Sequence, residues 1–112
     1  DISMSTKSYT PNKNISRKVK ILQELGADQI LDNSLNKIIE FQLAKYKQYR
    51  QEVKNELEKF ENTYNIESED FFARFQKGDL GDKTDYIEWA SLYENLQYYN
   101  DKIATLEGAV QK

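Results

Sequence analysis

His and Cys, the side chains that most often carry catalysis and tight metal binding, are both absent from the 112 residues. Imidazole and thiolate chemistry, zinc centres and disulfides are excluded at once. What remains is carboxylates, cations and rings. Asp79, Asp82 and Asp85 recur at every third position beside Gly78 and Gly81, but the string lacks the alternating oxygen ligands and closing bidentate Glu of an EF-hand. The two glycines make no phosphate cradle, since no GK[ST] follows and no strand precedes. Gly78 and Gly81 are expected to form a hinge, a sharp turn in which either can take positive φ. Trp89, Tyr86 and Tyr93 could stack on bases, yet no cations interleave with them, and their helical spacing assigns them to a core or an interface. Lys13, Arg17, Lys18 and Lys20 are the candidate nucleic-acid arm, able to neutralise a few phosphates. No recognised DNA-binding motif accompanies them, and such a basic run more often serves solubility than nucleic-acid binding. The expectation is a non-enzymatic chain without catalytic residues, cofactor or metal.

Composition points the same way. Hydrophobic residues make up 38% and charged residues 31% of a 13.2 kDa chain with formal net charge −3, so a domain this small buries only part of its apolar surface alone. A partner is expected. No stretch approaches the length of a membrane span, and no apolar run follows a basic start, which suggests a cytoplasmic location. Asp1-Ile2-Ser3 ahead of Met4 reads as a cloning scar, and the segment to about Asn14, with the only proline, as a disordered arm. The ends differ in sign: residues 1–20 hold five basic groups against Asp1, whereas residues 64–112 hold ten acidic against five basic.

The elements that would carry these residues follow from periodicity. Ile39, Leu43, Tyr46, Arg50, Val53, Leu57, Phe60 and Tyr64 alternate steps of 4 and 3, the seam of a helix that faces another helix. Asn33 or Ser34 would cap it, giving a helix over about 34–64. Trp89, Leu92, Leu96, Tyr99, Ile103, Leu106 and Val110 form a second seam, on a helix over about 84–108 with Thr84 as cap. Tyr86, Tyr93 and Tyr98 widen its apolar face. Between them Ser68 caps a short helix, 68–76, whose Phe71, Phe72 and Phe75 make an apolar knuckle. Upstream, Ile15, Val19, Leu22 and Leu25 fit a helix over about 15–25 that stops at Gly26. Alternation of Val19 and Ile21 with Lys18 and Lys20 leaves open a strand over 17–23, as in ribbon-helix-helix DNA binders. Ala27 to Asp32 reads as a connecting turn whose Ile30 and Leu31 pack under the long helix.

The expected architecture is all-α: two long antiparallel helices with a short helix between them, one domain over 15–112, pairing into a homodimer or larger helical bundle. Interface candidates are Tyr46, Arg50, Val53, Leu57, Phe60, Trp89, Leu92, Tyr93, Leu96, Tyr99 and Ile103. Arg50 alone breaks the seams. Either a carboxylate such as Glu88, Glu94 or Asp101 meets it, or its stem lies along the groove and its head reaches water.

The string from Tyr64 through Glu69, Phe71, Phe75, Gly78, Leu80, Gly81 and Asp82, followed by Asp85, Glu88, Trp89 and Ala90, resembles a group of small bacterial and archaeal proteins, many of them cyanobacterial. Their pattern runs Y-x-M-x-x-E-x-F-x-x-x-F-x-x-G-x-L-G-D, then D-x-x-E-W-A. Ile66 stands where that pattern has Met. The resemblance covers about a quarter of the chain. It implies an antitoxin-like partner in a toxin–antitoxin pair, with no catalytic residues to carry over. The N-terminal part departs from the DNA-binding module many antitoxins have. Two other assignments stand beside this one: a homo-oligomeric coiled-coil adaptor, and a small DNA-binding regulator using the basic arm.

Overall fold

A computed structural model describes residues 9–110, which form four helices and no strand. The scar and most of the expected arm lie outside the described residues. The helices are α1 (Lys13–Glu24), α2 (Asp28–Tyr64), α3 (Ser68–Gln76) and α4 (Thr84–Val110). The fold is all-α. Among the described residues no helix is long and apolar enough to cross a membrane.

The chain divides into two compact units, residues 1–37 and 38–112. In the first, α1 begins where the Asn12 side chain accepts the Asn14 amide at 2.8 Å, satisfying one of the orphan donors of a helix start. Residues 17–23 are helical, so the strand alternative falls, and with it the ribbon-helix-helix reading. Leu22 and Leu25 prolong the helical period where the alternation stops. α1 ends in a paired closure: Ala27 N–H donates to the Leu22 carbonyl at 2.9 Å and Gly26 N–H to Gln23 at 3.0 Å. That geometry requires the left-handed region at Gly26, where φ is 78°.

The expected turn over Ala27–Asp32 is instead the opening of α2, which starts at Asp28 rather than Ser34. Asn33 and Ser34 are good caps, but a cap residue inside an uninterrupted helix simply turns to solvent. Gln29 donates to the Asn33 side chain at 3.1 Å across one such turn. Ile30 is not packed underneath; it is 71% exposed.

In the second unit α2 closes at Asn65, whose φ is 57° and whose N–H donates to the Glu61 carbonyl at 2.7 Å, a single-bond left-handed cap. α3 ends at Gly78 with the same paired closure as α1: Asp79 N–H to Arg74 at 3.2 Å and Gly78 N–H to Phe75 at 3.0 Å. Gly78 and Gly81, at φ 80° and 81°, reverse the chain. α4 then runs antiparallel to α2, because Tyr64 meets Asp85, Phe60 meets Trp89, Arg50 meets Asn100 and Lys47 meets Glu107.

Candidate interaction surface

The tip of the hairpin is an aromatic core. Trp89 is fully buried, its ring 3.8 Å from Phe71 at an interplanar angle of 3°, with Phe60 and Tyr64 stacked at 5.4 and 5.6 Å. Two large rings removed from water at this one point stabilise the unit by about 2–3 kcal/mol each. A buried indole N–H needs an acceptor, and Ser68 supplies it: Trp89 Nε1 donates to Ser68 Oγ at 2.9 Å. Ser68 is therefore not the side-chain cap expected for α3. The cap position is Glu67, which makes no side-chain cap bond, and the Ser68 amide is taken up by Glu61 Oε2 of α2 at 3.0 Å. Likewise α4 is opened by the Lys83 carbonyl, which accepts Tyr86 and Ile87 amides, with Thr84 already inside the helix.

Tyr64 donates its phenol to Asp85 Oδ2 at 2.6 Å. That bond is the main reason its phenol is held above the usual tyrosine range, with Lys83 pulling the other way. Tyr64 is in turn the first cause that raises the Lys83 amine; the Lys83 ammonium stands 5.1 Å from the Tyr64 ring centre, a cation–π distance. Of the loop aspartates, Asp85 serves the hairpin tip through this bond. Among the described residues no carboxylate cluster converges to hold a metal.

Every seam residue of α2 and α4 is withdrawn from solvent at least in part. Val53, Leu57, Trp89 and Ile103 are buried. Tyr46, Arg50, Phe60, Leu92, Tyr93, Leu96 and Tyr99 are half-buried, and all eleven lie within the hairpin unit. They close that unit on itself. Tyr86 and Tyr93, expected on an open flank, are covered by α3, whose Phe71 and Phe72 lie 5.7 and 4.9 Å from them; Tyr98 alone of the three stays exposed. Burial, then the Glu69 carboxylate, raises the Tyr93 phenol. Arg50 meets neither a carboxylate nor water alone: its Nη1 donates to Asn100 Oδ1 at 3.1 Å. No family model, curated protein or solved structure matches the chain.

Most of the exposed large apolar side chains lie between residues 9 and 41, although Tyr49, Ile87 and Tyr98 are exposed further along the hairpin. α1 contains no buried residue. Ile15, Ile21, Leu22 and Leu25 of α1 and its closing turn are exposed, as are Ile30, Leu35, Ile38 and Phe41 of α2. The four cations of the expected arm sit on α1 itself: Lys13, Arg17 and Lys20 follow at i, i+4 and i+7, one face of that helix, with Lys18 beside them. Among the described residues of the first unit, only Val19, Ala27, Leu31 and Asn36 are half-buried. The spacing of Ile15, Leu22 and Leu25 marks an apolar face on α1 and its closing turn, whereas Ile30, expected under the long helix, carries no signal that the opening of α2 stays exposed.

A second surface has the opposite character. Along the hairpin, beside the start of α3, Leu57, Tyr93 and Leu96 floor an open groove. Glu58, Glu61, Glu67, Glu69 and Asp70 line it, against the single cation Lys54.

Proposed function

We propose that the chain is a non-enzymatic protein-interaction module of the antitoxin type, one that binds a partner toxin and neutralises it by covering its surface. One observation carries the reading: large exposed apolar side chains are concentrated in residues 9–41, whereas the hairpin has buried its own seams. A helix that is amphipathic, short and without a covered face suits recognition by laying its apolar side on another protein. The local resemblance between Tyr64 and Ala90 supports the antitoxin class. A cytoplasmic setting accords with that class.

Co-expression with the product of the adjacent gene tests the proposal. The neighbour alone should arrest growth, this chain should relieve the arrest, and the two should co-purify. Leu25→Asp with Ile30→Asp should abolish relief while leaving the helical circular dichroism of the hairpin. A neighbour that is neither toxic nor retained overturns the reading.

A further inference from the structure

We propose that the carboxylate-lined groove of the hairpin is the seat of helix α1 from a second copy of this chain, so that two copies associate by reciprocal insertion. This rests on the reading of α1 as an interaction element and names its resting occupant. Half-buried Tyr93 and Leu96, over buried Leu57, give the groove its apolar floor, and five carboxylates against one ammonium line it. Helix α1 and its closing turn offer the complement. Arg17, Lys18, Ile21, Leu22 and Leu25 step by 1, 3, 1 and 3, which places them on one side of a helix. Two cations thus stand at one end of that side and three aliphatics at the other.

Ile21, Leu22 and Leu25 are exposed, whereas the side of α1 that faces the start of α2 uses Val19 and Gln23. The docking side is therefore not engaged within its own unit. Length agrees as well. At 1.5 Å per residue the α2 side of the groove, from Gln51 to Glu61, is about 15 Å long, and α1 is about 18 Å. Sign favours this pairing over like with like: residues 9–37 hold five cations (Lys13, Arg17, Lys18, Lys20, Lys37) against three carboxylates (Glu24, Asp28, Asp32), while the groove is acidic. Opposed charges set register and partner choice.

Two charge-reversed full-length chains test it. One carries Arg17→Glu with Lys18→Glu; the other carries Glu58→Lys with Glu69→Lys, both exposed positions, Glu69 standing in the first turn of α3. In sedimentation the wild-type chain should dimerise and loosen as salt rises. Each variant alone should associate about tenfold or more weakly. Their equimolar mixture should regain part of the dimer, because one contact then pairs an unaltered α1 with an unaltered acidic groove, while the other sets the variant α1 against a groove of three carboxylates and three cations that no longer repels it; this recovery also shows that both variants fold. A wild-type chain that stays monomeric leaves the groove to a different protein and overturns the proposal. Variants that dimerise like wild type place the contact on another face and overturn it too, as does a mixture that regains nothing. None of these outcomes bears on toxin relief, so the two readings fail separately.

Discussion

Trp89 is held by ring stacking and by one hydrogen bond, and the two contributions separate by mutation. Ser68→Ala leaves the indole N–H buried without an acceptor, a loss expected to be about 1–3 kcal/mol in urea denaturation. In a Trp89→Phe background the same change removes a hydroxyl with nothing to accept and should cost close to nothing. Equal losses in the two backgrounds would mean that the 2.9 Å contact contributes nothing to folding. Tyr64 gives a pH test. Its phenol is raised from the ordinary 10.0, chiefly by donating to Asp85, and Lys83 is raised by Tyr64. Both groups bind their proton more tightly when folded, so their contribution is complete below about pH 10 and is lost as pH rises through the folded values. Thermal melting between pH 9 and 11 should therefore fall, and fall less in Tyr64→Phe. An identical slope in the two chains would remove the phenol–carboxylate pair from the account.

The helices show what a residue string conveys and what it withholds. Both ends of α3 and the start of α4 were readable because acidic first turns and Gly78 bracket them, and the two seams were readable because period 3.5 survives any local detail. Caps were not. Ser68, Thr84, Asn33 and Ser34 all have the right side chains, but Asn33, Ser34 and Thr84 lie inside helices that start earlier, and at α3 three-dimensional neighbours claimed the role: Trp89 took Ser68, and Glu61 reached across from α2 to the Ser68 amide. Glu61→Ala should accordingly destabilise the hairpin by about 1 kcal/mol, whereas Glu67→Ala, at the formal cap position without a side-chain bond, should change the urea midpoint little. The reverse result would return the cap to local sequence. Arg50 illustrates the same point. With a neutral partner in Asn100 and a half-exposed head, Arg50→Met should shift stability by less than about 1 kcal/mol; a loss above about 3 kcal/mol would signal a buried charge pair instead.

The two units differ in what keeps them folded. The hairpin holds an aromatic core, while residues 9–37 contain no buried side chain and rely on caps and helix propensity. A helix of 12 residues is marginal in water, and the Asn12 cap adds only about 1 kcal/mol. Native-state hydrogen exchange in dilute solution should therefore show the amides of α1 opening at a free energy of about 1–2 kcal/mol, with those around Trp89 and Ile103 opening only near the global value. The difference has a functional reading: a face that is cheap to order and open to solvent is the part of the chain a partner would stabilise by mass action. Raising the protein concentration should then slow exchange in α1, and the Arg17→Glu, Lys18→Glu chain should lack that concentration dependence. Uniformly strong protection of α1 at every concentration would mean the segment is stable without a companion, and the interaction role would lose its physical basis.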